Sequence, residues 1–128
     1  MIYLLDTHLL LWAAGAPEKL SAKALALISD EKSGLMFSAA SLWEVAIKSQ
    51  LGRADFTADP RQLRRGLLDN GYTELAIDIS HTIATLDLPL THKDPFDRIL
   101  VAQARVEGLV LLSSDATVAG FGAPVELV

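Results

Sequence analysis

Four acidic side chains, Asp6, Glu44, Asp97 and Asp115, stand where they could hold a divalent cation. Asp6 directly follows a short apolar run at 2–5, and Asp115 lies three residues past another at 109–112. Glu44 lies on a helical stretch after a third run, 35–38. Asp97 has no strand directly before it but falls in the first turn of the helical stretch in "THKDPFDRILVAQA". In an open parallel sheet, ligands bind beyond the carboxyl ends of the strands. Carboxylates gathered there in a low-dielectric cleft repel one another, and a divalent cation removes that cost. Mg²⁺ and Mn²⁺ take oxygen ligands and keep several waters, which leaves room for a phosphate. Such a set supports metal-assisted hydrolysis of a phosphodiester. One ion lowers the pKa of a bound water, and a second stabilises the leaving oxygen from about 4 Å away.

Each acid also has a local explanation. Asp6 and Asp115 can be helix N-caps. Ser41-Leu42-Trp43-Glu44 matches the capping box S-x-x-E. Asp94 can cap the quoted helix, with Pro95 at its first position and Asp97 at its third. Acids in a first turn also suit the helix dipole. At "DPFD" the two explanations divide: Asp94 starts the helix, and Asp97 is directed at the cleft.

The elements that must position these acids are short and alternate in type. Strands are expected at 2–5, 35–38, 74–77 and 109–112, with a fifth at 125–128. Helices are expected at 8–14, at 22–32 after Ser21, from Ser41 to Gly52, and at 61–70 after Asp59-Pro60. A short helix is expected at 80–86, and the quoted helix runs to Gly108. The strands are continuously apolar, as in parallel sheets covered on both faces. Strands interleaved with helices imply an α/β layered fold. No internal repeat or low-complexity tract interrupts the chain.

At 128 residues the chain suits one domain, spanning 1–128. Its hydrophobic share is 51% and its mean hydropathy +0.33, high enough to suggest that a second copy or a partner covers part of the surface. The net charge is −5 and the pI about 5.0, which disfavours general nucleic-acid binding. Any contact with phosphate needs local positive charge or a metal. The absence of Cys excludes disulfides, thiolate metal sites and Cys nucleophiles. "MIYLLDTHLLLW" has no basic first segment, and Asp6 interrupts it, so it is not a signal peptide. No apolar stretch approaches the roughly 20 residues that span a bilayer. A cytoplasmic location is expected.

The segments "LLDTHLLLW" (4–12), "SAASLWEVAIKSQLG" (38–52), "HKDPFDRILVAQA" (92–104) and "LLSSD" (111–115) together resemble the PIN-domain ribonucleases, and among them the VapC-type toxins of bacterial toxin–antitoxin pairs. They cover nearly the whole chain in the family's order. The resemblance implies a three-layer α/β/α sandwich on a central parallel sheet of four or five strands. It places the metal-binding and catalytic acids at Asp6, Glu44, Asp97 and Asp115. Thr7, Ser41 and Ser114 would orient carboxylates or waters, and Asp94 would support as a cap. It implies a Mg²⁺-dependent endoribonuclease, with Mn²⁺ as a substitute, acting on tRNA or ribosomal RNA. A homodimer and a cognate antitoxin are implied too. The family's last motif often carries Thr two residues before the acid; here that residue is Ser113. The segment 53–73 carries no motif of the resemblance.

Positive charge is sparse. Arg61, Arg64 and Arg65 cluster at helical spacing, as a solvated face or a contact to RNA. Lys48 is one turn from Glu44, which suits a helix ion pair and also partial neutralisation of the acids. Arg98 follows Asp97 and could face phosphate. His8, His81 and His92 lack metal-ligand spacing, which disfavours zinc. Trp12 and Trp43 read as core or dimer contacts. No G-x-S-x-G, G-x-G-x-x-G or G-K-[ST] occurs. Two other functions fit the same acids. One is a non-catalytic binding or regulatory module, in which the acids are only caps. The other is an aspartyl-phosphate phosphoryl-transfer domain, although His8 stands where a phosphatase of that type carries a second Asp.

Overall fold

A computed structural model describes residues 1–128. Its strands are β1 (Ile2–Leu5), β2 (Gly34–Ser38), β3 (Thr73–Leu75), β4 (Val110–Ser113) and β5 (Val125–Leu127). All pair in parallel, in the order β3-β2-β1-β4-β5. The chain therefore builds outward from β1 through β2 to β3, then returns to β4 on the other side of β1. The switch in direction lies between β1 and β4, where Leu5 is in register with Leu112. Ligands of open α/β sheets bind at such a point.

The connecting helices are α1 (Thr7–Gly15), α2 (Ala22–Ser29), α3 (Ala39–Gln50), α4 (Pro60–Asp69), α5 (Ile79–Ala84), α6 (Pro95–Glu107) and α7 (Ala116–Ala119). Side chains alternate across β1, which divides the core. Tyr3 and Leu5 join Leu9 and Leu10 of α1 and Leu63 and Leu67 of α4 on one face. Leu4 joins Leu100 and Val101 of α6 and Val118 of α7 on the other. Leu4, Leu5, Leu111 and Leu112 are fully buried, each contributing roughly 1.5–3 kcal/mol. This burial on both faces is why the strands are uninterrupted apolar runs, and it yields the expected α/β/α sandwich, with five strands. No helix is long and apolar enough to cross a membrane.

Several boundaries differ from expectation. α3 starts at Ala39, because the Ser38 hydroxyl accepts from the Ala40 N–H at 3.0 Å. Ser41 is therefore inside the helix, and the Ser41–Glu44 capping box does not form. α2 ends at Ser29, where Asp30 turns extended and its carboxylate accepts from the Lys32 N–H. β3 sits at 73–75 rather than 74–77, in register with Met36 to Ser38. Short 3₁₀ turns at Pro17–Lys19 and Thr85–Asp87, and the four-residue α7, were not anticipated.

Candidate metal centre

Asp6 closes β1 and caps α1. Its Oδ1 accepts from the Leu9 N–H at 3.0 Å, and its Oδ2 accepts from the Ser113 hydroxyl at 2.5 Å. The residue is only 6% exposed. Burial raises its carboxyl above the usual range, against the Ser113 and Leu9 hydrogen bonds, and the charge of Glu44 adds to the rise.

Glu44 reaches the same place from α3. It is buried, and both of its oxygens are engaged. Oε1 accepts from the Thr7 hydroxyl at 2.6 Å, and Oε2 accepts from the Lys48 ammonium at 2.5 Å. The Thr7 and Ser41 hydroxyls are 3.0 Å apart, so α1 and α3 are joined at this point by buried polar groups.

Asp97 comes from the first turn of α6. Asp94 Oδ1 accepts from the N–H groups of Phe96, at 2.8 Å, and Asp97, at 3.3 Å. The cap fixes the turn from which Asp97 projects. Asp97 Oδ2 lies 2.8 Å from His92 Nε2. Burial pushes the Asp97 carboxyl up to about 6; the His92 hydrogen bond opposes this, while the charges of Asp94 and Glu44 add to it. Glu44 thus acts on both Asp6 and Asp97, which marks these three as one electrostatic group. Asp94→Ala should cost about 1 kcal/mol through the lost cap, read as a lower unfolding midpoint in a denaturant titration.

Asp115 lies apart from the other three in character. It is exposed, its Oδ1 caps α7 through the Thr117 N–H at 2.8 Å, and its own N–H donates to the Ser113 hydroxyl at 3.0 Å. Ser113 is fully buried. It bridges the Asp6 carboxylate and the Asp115 backbone, while Ser114 is exposed. Sequence reasoning assigned the supporting place to Ser114. The chain extends β4 through Ser113, and it is the Ser113 hydroxyl that meets Asp6.

The cationic candidates separate in the same way. Lys48 is at the acids. Arg98 donates to the carbonyls of Pro89, His92, Thr85 and Leu88 at 2.5–3.4 Å. Its guanidinium organises the 85–92 loop that carries His92, so those donors are not presented to phosphate. Arg61 pairs with Asp59, and Arg64 with Glu74, on α4. Arg65 is an exposed residue of the same helix.

Three ligand atoms within 4.8 Å of one another occur at Asp78, His81 and Glu107, and not among the four expected acids. The triplet is not legible in the sequence, because Glu107 is remote from the other two. His81 Nδ1 accepts from the Asp78 N–H at 3.0 Å, and its Nε2 faces Glu107 at 3.1 Å. Both ring nitrogens therefore already serve a capping box and a hydrogen bond to Glu107 that tie α5 to α6. The Asp6–Glu44–Asp97 group fits a hard cation on other grounds. Its donors are all oxygen, and burial makes the ionisation of Asp6 and Asp97 costly. Mg²⁺ needs only one or two carboxylates when waters and phosphate complete its shell.

The fold has counterparts among known proteins. Among solved structures, the fold is similar to VapBC2 from Rickettsia felis, determined bound to a DNA fragment from its promoter. The TM-score is 0.69 at 15% identity, covering 100% of this chain and 98% of that one. A toxin–antitoxin complex from Klebsiella pneumoniae gives 0.66 at 16% identity, covering 97% and 95%. Mycobacterium tuberculosis VapC20, described as a sarcin–ricin loop cleaving toxin, gives 0.67 at 15% identity, covering 94% and 95%. No curated protein matches the chain in sequence. The PIN domain profile matches residues 3–121, a span that includes all four acids; the chain belongs to the PIN domain family.

Proposed function

We propose that this chain is a metal-dependent endoribonuclease toxin, cytoplasmic and restrained by a cognate antitoxin. One observation above others supports it. Asp6 stands at the topological switch point of a PIN domain, bonded to Ser113 at the end of β4, Glu44 bonds the adjacent Thr7, and the charge of Glu44 acts on both Asp6 and Asp97, whose ionisation burial opposes. A bound Mg²⁺ or Mn²⁺ supplies an activated water and charge neutralisation for a phosphodiester. Asp6 and Asp97 are the residues that would hold it, with Glu44 behind them and Asp115 at the solvent edge.

The chain's own part is orientation. Ser113 and the Leu9 N–H fix the Asp6 carboxylate, Thr7 and Lys48 fix Glu44, and His92 fixes Asp97. Ligands held in this way need no rearrangement when substrate arrives. The neighbours crystallised as toxin–antitoxin complexes support an antitoxin partner, and VapC20's described target supports structured RNA, tRNA or ribosomal RNA, as substrate. Exposed Ile79, Ile83, Leu86 and Leu90 support a homodimer or another covered face.

Purified chain, freed of antitoxin, should cut a structured RNA with millimolar Mg²⁺ or Mn²⁺, and EDTA should stop it. RNA left intact with either ion, or cut equally well in EDTA, would remove the assignment and leave the binding-module reading.

A further inference from the structure

Lys48 is the one Lys or Arg side chain bonded within the acid group. Its Nζ lies 2.5 Å from Glu44 Oε2, and the two side chains are only 20% and 7% exposed. A surface i,i+4 pair moves freely in water, but this ammonium is seated. Its Nζ stands 4.7 Å from the Phe56 ring centroid and 5.9 Å from that of Phe96. Aromatic faces attract a cation, more strongly where water is excluded. Phe56 is buried in the segment after α3, and Phe96 directly precedes Asp97 and meets Trp43 edge-on at 5.5 Å. Three parts of the chain thus build a seat for positive charge beside Glu44, and the chain's own ammonium fills it.

That seat adjoins the place where the metal is expected. Two cations beside one buried carboxylate repel each other, and the repulsion is large where the effective dielectric is low. We propose that Lys48 is a tethered competitor for the metal: it fills the cation position at Glu44 in the metal-free chain and sets how tightly the ion binds. This inference rests on the metal-dependent reading above. Lys48 is a positioning residue in this scheme, acting through Glu44. Loading the ion weakens the Lys48–Glu44 pair, so metal affinity is held below what the acids alone would give.

The measurement is calorimetric titration of the full chain with Mn²⁺ at pH 8, alongside Lys48→Met, Lys48→Arg and Asp97→Asn. Met keeps the apolar stem and its contact with the rings, and a thermal melt in EDTA confirms that each variant is folded. Lys48→Met should bind Mn²⁺ roughly tenfold more tightly, and Lys48→Arg should stay close to wild type. A purely structural Lys48 would make Lys48→Met bind equally or more weakly. That outcome overturns the inference, while a wild type that binds Mn²⁺ and an Asp97→Asn that does not leave the proposed function standing. Absence of Mn²⁺ binding in both wild type and Lys48→Met overturns the two together.

Discussion

Asp97→Asn should abolish RNA cleavage and, at the same time, stabilise the metal-free protein above pH 6. The loss of activity follows from removing a ligand charge, and is expected to be on the order of 10³-fold or more. The gain in stability follows from the raised carboxyl. In the folded chain Asp97 titrates near 6, against 3.8 without the fold. Between those values the folded state binds the extra proton, so stability falls as pH rises from about 4 to about 6. Above 6 the whole penalty is present, about 2 kcal/mol once the part of the carboxyl still facing water is allowed for. Asn removes it while keeping an oxygen for His92. Urea melts in EDTA at pH 5 and pH 8 should show the variant gaining over wild type at pH 8, with the gain shrinking toward pH 5. A variant less stable than wild type at pH 8 would refute this reading of the site. Mg²⁺ should stabilise wild type at pH 8 and leave Asp97→Asn unmoved.

Ser113→Ala should lower cleavage about 10–100-fold, the usual effect of losing a group that orients a metal ligand. The hydroxyl donates to Asp6 Oδ2 and accepts from the Asp115 N–H, so its loss frees one end of β1 and one end of α7 together. Ser113→Thr keeps the hydroxyl and should retain most activity. Ser114→Ala, at an exposed position, should stay close to wild type. Initial rates on one RNA at saturating Mg²⁺ separate the three; equal rates for Ser113→Ala and wild type would show that Asp6 needs no such support.

The contrast between Ser113 and Ser114 shows where the sequence was legible. The run 109–112 was plainly a strand, and its helix partners and parallel pairing followed from its unbroken apolar character. Its end was not plain. Side chains alternate along a strand, so one residue decides which of two adjacent serines reaches Asp6. β1 raised no such question, because Asp6 stands directly at its end. α3 was displaced for a related reason. Ser41-x-x-Glu44 satisfies a local capping pattern, yet the cap is Ser38, whose hydroxyl also donates to buried Gln103 on α6. That choice depends on a partner far along the chain, which no window of sequence contains. Arg98 and His92 were obscure in the same way. Their partners are set by the fold of the 85–92 loop, whose alternating Leu86, Leu88 and Leu90 do not say where its carbonyls point. The capping role of Asp94 was legible because Asp-Pro at a helix start is a local signal, and the structure realises it.

Four carbonyls between Thr85 and His92 converge on the single guanidinium of Arg98. A loop tied at one knot opens as a unit, since releasing one carbonyl weakens the hold on the rest. The segment from Thr85 to His92 is therefore expected to open as one unit, and its opening would take His92 from Asp97.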